Sequence, residues 1–158
     1  MFSVINTSLF LLLFISYVYI KKNMNLFEVF VYWFWVSLFG EDFSEIVVRN
    51  LQLIVPYRTY QIFWDTMFYY LLLFPMSMIW FLHFYLKMSS RKGQRVILTS
   101  VYTLILASMH IIMELAGYVY VVHWKFWWSL IVWLTFIVST VGLMYVLRWL
   151  KGRDKQPV

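Results

Sequence analysis

The stretch Val96–Val121, VILTSVYTLILASMHIIMELAGYVYV, constrains this chain most. At 1.5 Å rise per residue, about 20 apolar residues cross the hydrocarbon core of a bilayer, and this run is longer than that. It nevertheless carries His110 and Glu114 in its interior. Spaced i, i+4, they share one helical face with Ser100, Thr103, Ala107 and Gly117. The rest of the surface is Leu, Ile, Val, Met and Tyr. A membrane helix with one small, polar stripe is expected to turn that stripe toward protein.

Four further runs surround it. Phe2–Ile20 ends at Lys21 and Lys22. The basic pair follows the apolar run and no small-residue cleavage site is present, so the segment reads as a retained span. Leu26–Phe39 is short for a span and must extend at its ends, thin the bilayer or be re-entrant. Glu28, near the Lys21/Lys22 end of this run, is placed to meet those lysines near the interface. Tyr60–Leu86 carries Asp65, Pro75 and His83, with a kink expected where Pro75 removes the bond to the Leu71 carbonyl. His83, one turn before Lys87, reads as interfacial. Phe126–Trp149 carries Thr135, Ser139 and Gly142 on one side, a candidate small-residue packing face. Between the second and third runs, Phe43, Val47, Leu51 and Ile54 fall on one side of an amphipathic segment. It suits a short interfacial helix, or equally a structured loop, over 43–55.

Only 13% of the 158 residues are charged, against roughly 25% for soluble domains, and 63% are hydrophobic. That contrast excludes a soluble fold. Continuous apolar runs, rather than short alternating ones, exclude a transmembrane barrel. The fold class expected is all-α: a polytopic transmembrane bundle of about five helices, one domain over 1–150, followed by a basic tail at 151–158. With the N-terminus outside, Lys21, Lys22, Lys87, Arg91, Lys92, Arg95, Arg148, Lys151, Arg153 and Lys155 fall on the cytoplasmic side. Only Arg49, Arg58 and Lys125 fall outside, ten cations against three of the 13 in the chain. Trp64, Trp124, Trp127 and Trp128 gather at the outer boundary, where indoles favour the interface. The net charge of +6 is therefore a topology signal, and no nucleic-acid partner is expected.

This topology brings distant polar residues to one depth. Asp65 lies about five residues, roughly 7 Å, inside its span, and Glu114 about seven residues, roughly 10 Å, inside its own. Asp65, His110 and Glu114 are expected to share an outward-facing pocket, with Arg58, His123 and Lys125 at its mouth. Buried carboxylates of this kind serve proton or ion handling, headgroup binding or acid/base catalysis, or they hold helices together by hydrogen bonds. An H-x-x-x-E pair lacks the second histidine of a zinc-binding helix, and there is no cysteine, so no metal or other cofactor is expected.

The second half, Trp64 to Leu147, resembles a small uncharacterised multi-pass membrane family of spore-forming Gram-positive bacteria. The resemblance rests on Asp65 early in its span, the aromatic-Pro pair Phe74-Pro75, the basic loop, Glu114 before an aromatic, and Trp127-Trp128-Ser129 opening the last span. The family often has Tyr where this chain has Phe74. The resemblance implies topology and a bacterial cytoplasmic membrane, not a reaction. Three functions follow as expectations. The first is a non-enzymatic accessory module that binds a membrane-protein partner or a second copy of itself within the lipid bilayer. The second is a small proton- or cation-coupled transporter or channel subunit, and the third a lipid-active enzyme. The channel is disfavoured because little polar lies below Ser100 and Thr103 except His83.

Overall fold

The computed structural model describes residues 8, 11–12, 14–15, 24–56, 60–88 and 92–153. Most of the first expected span lies outside them, as do Lys21, Lys22, Arg58, Arg91 and Lys155. The described part of that span, Ser8, Leu11, Leu12, Phe14 and Ile15, is helical and exposed. The elements that follow are α1 (Leu26–Phe43), a π-helical continuation Ser44–Asn50, β1 (Ile54–Pro56) and α2 (Tyr60–Phe68). A π-helical stretch Tyr69–Leu73 joins α2 to α3 (Phe74–Lys87), and α4 (Lys92–Leu115), β2 (Val119–Val121) and α5 (Phe126–Arg153) complete the order.

Three helices among the described residues are long and apolar enough to cross a membrane: Trp64–Lys87, Lys92–Leu115 and Phe126–Gly152. The chain is mostly helical and built as a membrane protein. α1 is longer than its apolar run indicates, 18 residues or about 27 Å at the α-helical rise, because Glu41 and Asp42 stay in the helix.

The helices run alternately up and down. Glu28 at the start of α1 meets Arg148 and Lys151 at the end of α5. At the opposite end, Phe43 packs edge-on against Trp124, with ring centroids 5.8 Å apart. Around the bundle α1 packs on α3 and on α5, α5 on α4, and α4 on α3, which closes a ring. Its core is aromatic and aliphatic: Tyr32, Val36, Phe74, Met76, Met78, Ile79, Leu82, Phe136, Ile137 and Met144 are fully buried. Phe39 stacks on Phe136 at 4.0 Å, and Trp133 lies 5.4 Å from Phe74 and 5.2 Å from Phe43, so one aromatic cluster ties α1, α3 and α5 together. Offset and edge-to-face geometries of this kind stabilise beyond the area they bury.

Two close features position α1 and α3. Gly40 faces Tyr70, and a Cβ there would sit 2.9 Å from the Tyr70 ring, so only glycine lets the helices approach this far. Pro75 lies just after the π stretch, at the first turn of α3. The change of helix type thus falls where Pro75 removes a donor, and both π turns and prolines are sites where helices bend.

Four other expectations change. The segment 43–55 is not one amphipathic helix. The helix ends after Asn50, Gln52 turns at φ 49, and Ile54–Pro56 pairs as a strand with Val119–Val121. Val47 and Ile54 are buried, while Leu51 is exposed. Thr135, Ser139 and Gly142 are exposed, and α5 packs through Ser129, Trp133, Phe136, Ile137, Thr140 and Met144 instead. The large side chains fill the core, and Thr140 satisfies its hydroxyl on the Phe136 carbonyl at 2.9 Å. The last helix also continues to Arg153, three residues into the expected tail.

The fourth change concerns Val96–Val121. α4 stops at Leu115. Gly117, at φ 73, closes a Schellman motif: Tyr118 N–H donates to the Met113 carbonyl and Gly117 N–H to the Glu114 carbonyl, both at 2.9 Å. Gly117 is thus a helix stop and not part of a packing stripe.

Candidate functional site

Polar groups concentrate at the two ends of the bundle. At the end opposite the basic one, the two-stranded pairing of Val55 with Tyr120 straps the turn after α1 to the link between α4 and α5. The Leu53 carbonyl adds bonds from the Val122 and His123 N–H groups, at 3.0 and 3.4 Å. Trp124 Nε1 donates to the buried Ser129 hydroxyl at 2.6 Å, fixing the start of α5.

The early stop of α4 moves Glu114 from mid-helix to the helix end. Glu114 sits in the last turn and is exposed, as are His123 and Lys125. Asp65 alone of the expected acids is buried, at 8% exposure. Its Oδ2 has no hydrogen-bond partner among the described residues, and its charge acts on Tyr118 in the turn after α4. Burial, and then this carboxylate, raise Tyr118 above the ordinary tyrosine range. Asp65, Glu114, His123 and Lys125 share no hydrogen bond or ion pair among the described residues. Arg58 lies outside those residues, and the side chain of His110 is not among the described ones. Of the stripe on α4, Thr103 and Ala107 face the core, while Ser100 is exposed. No cluster of three or more metal-ligating side chains occurs among the described residues.

The basic end holds the charge network that local reading missed. Glu28 is 5% exposed, with Oε1 3.4 Å from Lys151 Nζ and Oε2 3.6 Å from an Arg148 guanidinium nitrogen. Both cations come from α5; Lys21 and Lys22, the expected partners, lie outside the described residues. Tyr32, one turn along α1, lies beside both Glu28 and Arg148. Two cations around one carboxylate leave a net positive charge. A third cation is held at the same end: the Arg95 guanidinium lies 4.7 Å over the Tyr85 ring and donates to the Tyr145 hydroxyl at 3.1 Å, linking α3, α4 and α5. Midway along the bundle, Ser77 and Tyr102 share a hydrogen bond at 2.8 Å between α3 and α4. His83 is partly buried between Trp80 and Phe84, its Nδ1 without a partner.

A signal for the Glu28 network was present in the topology. Glu28 opens α1 and Arg148 closes α5, so alternating helices bring both to one membrane face. Comparison with known proteins adds no function: no protein-family model, curated protein or solved structure gives a significant match to this chain.

Proposed function

We propose that this chain is a small non-enzymatic module of a bacterial cytoplasmic membrane, whose exposed outer end engages a membrane-protein partner or a second copy. In this reading it has five spans, its N-terminus outside and its C-terminus in the cytoplasm. The basic end, with Lys87, Lys92, Arg95, Arg148 and Lys151, is the cytoplasmic face, in keeping with the positive-inside bias. The supporting observation is the placement of charge. The most buried carboxylate, Glu28, is occupied in joining two helices, and Glu114, His123 and Lys125 lie spread over an exposed surface rather than converging in a pocket. The resemblance to the Gram-positive membrane family belongs to the same reading.

One observation favours a second reading, a proton- or cation-coupled transporter. Asp65 is buried with a carboxylate oxygen that has no hydrogen-bond partner among the described residues, and acids inside spans mark ion and proton pathways. Proteoliposome flux separates the two. A module gives proton and potassium fluxes equal to empty vesicles, whereas a transporter gives flux that Asp65→Asn abolishes. Orientation is tested by single-cysteine labelling, straightforward because the natural chain has no cysteine. A probe at position 123 should react from outside intact cells, and one at 152 only after permeabilisation. The opposite pattern overturns the topology.

A further inference from the structure

The surface between α1 and α5 carries an apolar groove of about 430 Å³ lined by Phe30, Val31, Phe34, Trp35, Leu38 and Leu143. That volume lies within the roughly 300–1,000 Å³ of small-ligand sites. From Phe30 to Leu38 the groove follows eight helical rises, about 12 Å, close to the depth of one leaflet's hydrocarbon. Its direction matters more than its size. On α5, Leu143, Leu147 and Lys151 follow at i, i+4, i+8, one stripe leading out of the groove to the basic end. On α1, Val31 lies one turn from Glu28, the carboxylate that Lys151 and Arg148 flank.

We propose that this groove binds one anionic phospholipid, with an acyl chain along Phe34, Trp35 and Leu143 and the headgroup phosphate at Lys151 and Arg148. The charge is complementary. Among the described residues, Glu28 stands against two cations there, a net charge of one positive unit at the headgroup level. The Lys151 and Arg148 side chains are 43% and 36% exposed, so each presents part of its surface to a phosphate while keeping contact with Glu28. A zwitterionic lipid carries its own compensating ammonium and gains little from that charge. Lys87, Lys92 and Arg95 belong to the same basic end and add to the same field. Which leaflet supplies the lipid rests on the topology above, but binding in micelles does not. A negative result there leaves the topology standing.

Native mass spectrometry of the purified full-length chain, titrated with dioleoyl-phosphatidylglycerol or dioleoyl-phosphatidylcholine, reads this directly. One tightly retained phosphatidylglycerol is expected, favoured about fivefold over phosphatidylcholine, the effect of one uncompensated cation. Lys151→Gln should bring that preference near parity while Arg148 still holds Glu28. Leu143→Trp should fill the groove and reduce retention of both lipids. Should Leu143→Trp fail to fold, Phe34→Trp at the exposed rim serves in its place. Equal retention of the two lipids by the natural chain overturns the proposal. So does a preference that survives Lys151→Gln, or displacement of bound lipid by millimolar inorganic phosphate alone, which would mark a free-anion site.

Discussion

Replacing Glu28 by Gln keeps the shape of the side chain and removes its charge, so it isolates the electrostatic part of the α1–α5 contact. With cations at 3.4 and 3.6 Å, each pair has a gross attraction of about 5 kcal/mol at an effective dielectric near 20. Most of that is offset by the cost of burying the carboxylate. Breaking a fully buried pair costs about 3–5 kcal/mol. Here both cations keep part of their hydration and can extend toward the interface, which lowers the figure to about 1–2 kcal/mol. The measurement is unfolding in dodecylmaltoside with increasing sodium dodecyl sulfate, followed by far-UV circular dichroism. Glu28→Gln, Lys151→Met and the double variant complete a mutant cycle. The expectation is a loss of about 1–2 kcal/mol for Glu28→Gln and a coupling of about 1 kcal/mol with Lys151. The reasoning fails if the two losses simply add, within the roughly 0.3–0.5 kcal/mol typical of independent sites.

Three other outcomes are expected. Gly117→Ala should lower stability by about 1–2 kcal/mol through left-handed backbone strain alone, because nothing lies within 4 Å of an added Cβ. Gly117→Asn should cost less in the same denaturation series. Tyr102→Phe should cost about 0.6 kcal/mol, the average for hydrogen bonds between membrane helices, and almost nothing further in a Ser77→Ala background. Asp65→Asn removes the second of the two causes that raise Tyr118 while leaving burial in place. Tyr118 should then ionise at a lower pH than in the natural chain, though still above the ordinary range, in ultraviolet tyrosinate titrations referenced to Tyr118→Phe. An unchanged titration would separate Asp65 from Tyr118.

Apolar runs were enough to show the helices from Leu26 onward, because backbone groups in hydrocarbon leave a chain few alternatives. They were not enough to show where α4 ends. Val119, Tyr120 and Val121 continue the apolar character across Gly117, and β-branched residues suit a strand as well as a membrane helix. Glycine after the last helical turn was the available signal, and it moves Glu114 from mid-helix to a surface. α5 shows a different limit. It is apolar all round, so no face contrasts with another, and the aromatic contacts that orient it come from α1 and α3. Glu28 had local lysines within reach, yet its partner Lys151 is 123 positions away. Only helix order and depth connect them.

The π stretch Tyr69–Leu73 sets the rotational phase of everything before it. Each residue turns an α-helix by about 100°, so deleting one residue there would let the rod close as plain α-helix and swing Asp65 and Trp64 a quarter-turn or more around it. Asp65 would leave Tyr118, and the exposed Trp64 would take a new bearing, while Phe74 to Lys87 kept their packing against α1. The helix thus behaves as two cams on one shaft, the proline fixing the lower and the widened turn setting the angle of the upper.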